Sequence, residues 1–348
     1  MSDNEKLDIL SMTSGEIAGV LERYGEKRFR GEQIYSWLHV KKVTEFSQMS
    51  NISLELRTKL DEIFCIKRLN IVKRLESCSD NTIKYLYGLD DGFHIETVLM
   101  EYEHGNSICL STQVGCKMGC KFCASAIAGF RRDLAPSEML GQIYAAEADS
   151  GRHVDSVVLM GIGEPLDNFD NVMKFLDILS DPKGRGMSLR HVSLSTCGIV
   201  PRIYELAERK TGLTLSISLH SPSDSKRSEI MPVNRRWGIN DVIQACRDYF
   251  DATGRRVSFE YAVIPGVNDS REDALRLSEL LGGMNCHVNL IPVNEVKETA
   301  FKGDRRSAEA FRDKLAGKGL NVTIRRTLGS DINAACGQLR REYEAGDQ

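Results

Sequence analysis

The chain has 348 residues, 41% hydrophobic and 27% charged, with 29 Gly and 8 Pro, a composition that excludes collagen, coiled coil and disorder. No segment approaches the ~20 apolar residues of a bilayer span, and the opening MSDNEKLDIL lacks the basic and apolar stretches of a signal peptide, so a cytoplasmic protein with no membrane part is expected. Basic and acidic residues nearly balance, 46 against 49 for a net charge of −3, which leaves any RNA or DNA binding to local basic patches.

Apolar residues at helical spacing behind Thr13 and Ser14 predict helices in SGEIAGVLERYG, FRGEQIYSWLHV and SLELRTKLDEIF, a helical accessory domain over residues 1–68. Over 69–104 the period drops to two in NIVKRLES, NTIKYLYGL and FHIETVLM, separated by the turn-like SCSDN and DDG, which reads as a short antiparallel β extension. From 105 to 330 the strand-like SICLSTQ, SVVLMGI, HVSLST, LTLSISL, VSFEYAVI, HVNLIPV and NVTIRR alternate with helical stretches near 136–150, 168–179, 200–210, 239–253, 270–283 and 304–318. Repeated β–α units predict an α/β fold with a parallel sheet. About six of them make a partial (β/α)6 TIM-like barrel rather than the eight of a closed one. No Gly-x-Gly-x-x-Gly follows the first strand, which argues against a dinucleotide fold. Residues 331–348 form a polar C-terminal segment.

Ten cysteines fall well short of the ~8–10% density of secreted disulfide scaffolds, so reduced thiols are expected. Cys65, Cys78, Cys197, Cys246 and Cys286 sit singly, as small buried hydrophobes do. Cys116, Cys120 and Cys123 differ. In GCKMGCKFCA they form C-x-x-x-C-x-x-C in the loop after the first barrel strand. Three soft thiolates at short spacing suit three corners of a [4Fe–4S] cube and leave the fourth iron open for another ligand. A closed zinc site would want a fourth ligand such as His104 or His153. With Phe122 before the last cysteine, the motif resembles that of the radical S-adenosylmethionine superfamily.

Such a cluster needs groups at the C-terminal strand ends to hold the methionine moiety beside the open iron. Gly163 and Glu164 of GIGEP follow the second strand, where glycine allows close backbone approach and the carboxylate suits an ammonium group. A turn-forming role for Glu164 near a helix start is the alternative. Ser195, Ser218, Leu219, His220 and Asn294 end later strands and offer hydroxyl, imidazole and amide groups for the ribose and carboxylate.

IETV at 95–98, the cluster loop, GEPL, SLHSP, MPVN, PGVND, HVNLIPVN and DINAACGQL occur in the order of the dual-specificity RNA adenine C-2 methyltransferases, the RlmN/Cfr group, and FRGEQIYSWL extends the likeness over roughly 15–345. The resemblance implies two S-adenosylmethionine molecules per turnover. One methylates the cysteine matching Cys336. The other, on the cluster, yields a 5′-deoxyadenosyl radical that takes a hydrogen from the thiomethyl group, and the carbon radical adds to adenine. The residue matching Cys109 then pairs with Cys336 in a transient disulfide that releases the base, and that matching Glu96 accepts a proton. The implied substrates are an adenosine of 23S rRNA and the adenosine 3′ of the anticodon in tRNA, with a donor such as flavodoxin or ferredoxin and a monomeric enzyme. Alternatives are C-8 methylation by Cfr-type resistance enzymes and a non-catalytic iron–sulfur or zinc RNA-binding protein. The longer stretches TQVGC, MGIGEPLDNFDN and IPVNEVKETAFKG resemble the C-2 enzymes more. The basic clusters expected at RNA are Lys27, Arg28 and Arg30 with Trp37, Arg131 with Arg132, and Arg325 with Arg326.

Overall fold

The computed structural model describes residues 6–127, 129–292, 305–332, 334, 339, 340, 343 and 346. Leu7–Asp8 (β1) pairs in parallel with Phe64–Cys65 (β2), closing a unit of three helices, Ser14–Arg23 (α1), Phe29–His39 (α2) and Leu54–Ile63 (α3). Thr13 starts α1 as expected: its hydroxyl accepts from the Glu16 N–H at 3.3 Å while the Glu16 carboxylate takes the Thr13 N–H at 2.8 Å. The predicted period-two strands follow as Asn70–Glu76 (β3), Ile83–Gly88 (β4) and His94–Tyr102 (β5).

The alternating region begins with Gly105–Cys109 (β6), then a short pair, Gln113–Val114 (β7) and Arg132–Asp133 (β8), which brackets the cluster loop and the one-turn helix Ala124–Ile127 (α4). Pro136–Ser150 (α5), Ser156–Leu159 (β9), Phe169–Ser180 (α6), Val192–Thr196 (β10), Val200–Arg209 (α7) and Thr214–Ser218 (β11) come next. They are followed by Asp224–Ile230 (α8), Ile239–Thr253 (α9), Val257–Val263 (β12), Arg271–Leu281 (α10), Cys286–Pro292 (β13), Arg305–Ala316 (α11) and Val322–Ile324 (β14). Among the described residues one ten-stranded sheet runs β14-β13-β12-β11-β10-β9-β6-β5-β4-β3, parallel from β14 to β6 and antiparallel from β6 to β3. The β extension and the barrel strands are thus one sheet, continuous across the β5–β6 hairpin.

Helices on the sheet bury one face each; α6, for instance, puts Val172, Phe175, Leu176 and Leu179 inside. Strands in the middle of the sheet are buried on both faces, which is why VSFEYAV reads as an almost continuous apolar run. No helix among the described residues is long and apolar enough to cross a membrane. Of the five cysteines expected to be buried, Cys197, Cys246 and Cys286 are, Cys65 is half-buried and Cys78 is exposed. Cys78 corrects the expectation because it sits in the turn between β3 and β4, outside the core.

Candidate active site

The cluster loop leaves β6 at its C-terminal end, and its backbone forces the turn: Gly115 has φ +80°, and a Cβ there would collide with the Gly129 carbonyl. Cys116, Cys120 and Cys123 line one wall of a cavity of about 360 Å³ at the strand ends. Burial pushes the Cys116 thiol up to about 12. It raises Cys120 as well, helped by its neighbours Cys123 and Cys116 and opposed by the Arg227 guanidinium. Three soft donors on one cavity wall, Cys116 buried and Cys120 and Cys123 half-buried, repel one another as anions and so fit a cationic iron–sulfur group, which supplies the missing positive charge.

Gly163 also lines the cavity. Its φ is +116°, and a Cβ would come within 2.7 Å of the Gln113 side chain and 2.8 Å of its backbone nitrogen, so only glycine fits here. Glu164 is buried at the cavity wall. Its Oε2 accepts the Cys197 N–H at 2.8 Å and its Oε1 the Leu166 N–H at 3.0 Å. Burial raises this carboxyl, against the pull of the Cys197 N–H. The Glu164 carboxylate thus accepts two backbone N–H groups of neighbouring loops while it lines the cavity. Gln113 ties this loop to the cluster loop, its Oε1 accepting the Glu164 N–H and its Nε2 donating to Asp133 and Asp167, each at 2.8 Å.

Ser195 and Ser218 line the cavity with hydroxyls 3.5 Å apart. His220 lines it too, at φ +57°, with its ring edge-on to Phe122 at 4.8 Å. The His220 Nδ1 accepts the Ala262 N–H at 2.9 Å, which places the ring proton on Nε2. Burial, with the Arg227 charge, lowers this imidazole to about 3, so it stays a neutral donor. Leu219 differs from its expectation: its side chain is wholly in the core, because strand alternation turns it away from its neighbours.

Cys109 lines the same cavity. In the β5–β6 ladder it lies opposite Val98, so the two share a face. Ala334 joins Val98, Met100 and Cys109 in one buried cluster and lines the cavity beside them. Glu96, two residues before Val98, is fully buried, with its Oε2 3.1 Å from Lys84 Nζ and its Oε1 accepting the Arg340 N–H at 2.6 Å. Asn294 and Cys336 lie outside the described residues.

Sequence reading missed two buried groups here. Arg227 of α8 donates to the carbonyls of Leu219, Cys197 and Ser218 and to Asn234 Oδ1, pinning two strand ends beside the cluster loop. Glu260 of β12 lines the cavity, raised by burial and held by Asn289 at 2.8 Å. An acid inside the apolar run VSFEYAV was its only signal. Of the basic clusters, Arg325 and Arg326 line the cavity mouth, and Lys27 and Arg28 are exposed. Arg30 lies over the Phe29 ring and Trp37 donates to Asn51. Arg132 is held by Asp91 and Glu138, which makes it a structural ion pair rather than an open RNA contact.

The Radical SAM superfamily model matches residues 110–278, and the model of the ribosomal RNA large subunit methyltransferase N-terminal domain matches residues 7–66. A probable dual-specificity RNA methyltransferase RlmN of Lachnoclostridium phytofermentans is 50% identical over 98% of this chain and 96% of its own. One of Desulforamulus reducens is 48% identical over 99% of each. The crystal structure of a radical SAM methyltransferase from Sphaerobacter thermophilus superposes with a TM-score of 0.91 at 38% identity, covering 95% of this chain and 98% of that one. The radical SAM family implies a [4Fe–4S] cluster and S-adenosylmethionine. With its fold, its cysteine loop and near full-length identity all in agreement, the chain belongs to the RlmN family of radical SAM RNA methyltransferases.

Proposed function

We propose that this enzyme methylates C-2 of an adenosine in 23S rRNA and of the adenosine 3′ of the anticodon in tRNA, using two S-adenosylmethionine molecules per turnover. Cys116, Cys120 and Cys123 hold the cluster, which when bound supplies the electron that makes a 5′-deoxyadenosyl radical. Glu164 takes the ammonium of the cofactor on its remaining lone pairs, while Ser195, Ser218 and the His220 Nε2–H serve its ribose and carboxylate oxygens. Asn294, outside the described residues, joins them. Leu219 contributes backbone only.

Cys336 carries the transferred methyl group, Cys109 resolves the adduct through a transient disulfide, and Glu96 accepts the proton. The observation that supports this division is that Ala334, two residues before Cys336 in sequence, shares a buried cluster and the cavity lining with Cys109. A non-nucleophilic adenine carbon needs a carrier thiol, and a bound carrier needs a second thiol for release. In this reading the enzyme works in the cytoplasm on its RNA substrates, as a monomer fed by flavodoxin or ferredoxin.

Incubation with labelled S-adenosylmethionine, reductant and 23S rRNA, followed by nucleoside mass spectrometry, is expected to give 2-methyladenosine. Cys109→Ala is expected to accumulate a covalent protein–RNA species, and Cys336→Ala to give neither methyl group nor adduct. An 8-methyladenosine product, or normal turnover in either variant, overturns the reading.

A further inference from the structure

The face that carries Cys109 also carries a buried ion pair with no part assigned to its cation. The β4–β5 register sets Lys84 opposite Val98 and Leu86 opposite Glu96. Lys84 and Glu96 are thus diagonal neighbours on one face. Both side chains are fully buried, with Lys84 Nζ 3.1 Å from Glu96 Oε2. The other carboxylate oxygen accepts the backbone N–H of Arg340 at 2.6 Å, and the His94 ring meets Tyr343 at 5.0 Å. A second clasp holds the segment upstream. Asp331 accepts from the Ser77 hydroxyl at 2.7 Å and the Cys78 N–H at 2.9 Å, and Asp80 accepts the Gly329 N–H at 2.7 Å.

We propose that Lys84 is a positioning residue: its ammonium fixes the Glu96 carboxylate where that group accepts the Arg340 N–H, so that Arg340, like Gly329 and Asp331 upstream, is anchored to the antiparallel strands β3–β5 and the turns that join them. A buried ion pair is a poor source of stability, since apolar residues of the same volume serve as well or better. What a carboxylate adds here is an oriented acceptor for one backbone N–H, and what an ammonium adds is compensation of its charge and a fixed rotamer. The importance of the segment rests on the reading that it bears the methyl carrier.

Hydrogen exchange on the full-length holoprotein, with no RNA present, tests the anchor. Lys84→Met/Glu96→Leu removes both charges at similar volume and is expected to fold, with exchange of the Arg340 amide roughly tenfold faster or more and that of the Cys78 and Gly329 amides unchanged. Lys84→Met alone removes the ammonium 3.1 Å from the buried Glu96 carboxylate. It is expected to loosen the same segment and to lower kcat for RNA methylation without raising KM, and Lys84→Arg is expected to restore both. Arg340 exchange within about threefold of the parent in the folded double variant overturns the anchor. A loosened segment with unchanged kcat in Lys84→Met overturns the positioning role. If the parent itself forms no methylated adenine, the functional reading fails while the exchange result still decides the anchor.

Discussion

At the residue scale the site is governed by desolvation. Burial raises the Cys116 thiol to about 12 and raises Cys120 as well, with the repulsion of neighbouring cluster thiols adding to it. Iron must displace those protons. Because the thiol pKa values are raised, the thiolate fraction grows as pH rises, and reconstitution of the apoprotein with iron and sulfide is expected to be several-fold faster at pH 8.5 than at pH 7, with protons released on loading. A pH-independent rate, measured by the growth of cluster absorbance, would contradict this. Arg227 moderates the effect by placing a buried guanidinium near Cys120. The C-x-x-x-C-x-x-C spacing was legible because all three donors fall within eight residues of sequence. Arg227 was not, since a lone arginine in SDSKRSEI looks like any solvated helix charge until α8 folds back onto two strand ends.

At the scale of elements, the helical unit is fastened to α5 and α6 by polar contacts of α2 and the chain just after it. Tyr35 donates to the Ile178 carbonyl at 3.3 Å, His39 Nδ1 meets the Tyr144 hydroxyl at 2.9 Å, and Lys42 and Arg185 converge on Glu147 of α5 at 2.6 and 2.8 Å. Burial raises the Glu147 carboxyl, but the Arg185 and Lys42 bonds and the Val154 N–H bring it down to about 2. A carboxyl lower in the folded than in the unfolded chain stabilises above about pH 4.5, and that contribution is lost as pH falls from 4.5 toward 2. Glu147→Gln is expected to cost about 3 kcal/mol at pH 7, the lower end for a broken buried pair because Lys42 is partly exposed. The variant should also show a shallower stability loss below pH 4.5 in chemical denaturation. A loss under about 1 kcal/mol would mean that apolar packing alone docks the helical unit.

At the scale of the whole molecule, a chain of net charge −3 must bind RNA through local fields, and the structure separates open cations from committed ones. Arg326 is exposed at the cavity mouth. Arg326→Ala is expected to weaken RNA binding and reduce the salt slope of affinity by about 0.7–0.9, one phosphate contact's worth. Arg132→Ala, which breaks the Asp91 and Glu138 pairs, should leave that slope unchanged and lower Tm instead. Filter binding across a salt series distinguishes the two, and equal slopes in parent and Arg326→Ala would remove this arginine from the interface.

What the sequence determined by itself was local in origin. Helical period in FRGEQIYSWLHV, period two in NTIKYLYGL, the β–α alternation and the cysteine loop all follow from neighbours within a few turns or a few strand residues. The tertiary structure decided what depends on distant partners. It joined the β extension to the barrel sheet through the β5–β6 hairpin, brought Glu260 to the cavity wall, and clasped Asp331 to Ser77 across 254 residues of chain. It paired Lys84 with Glu96 in the core, where a strand pattern alone would have left both charges in water. Such contacts carry no local pattern, because their stability comes from excluding water around groups that only the completed sheet brings together.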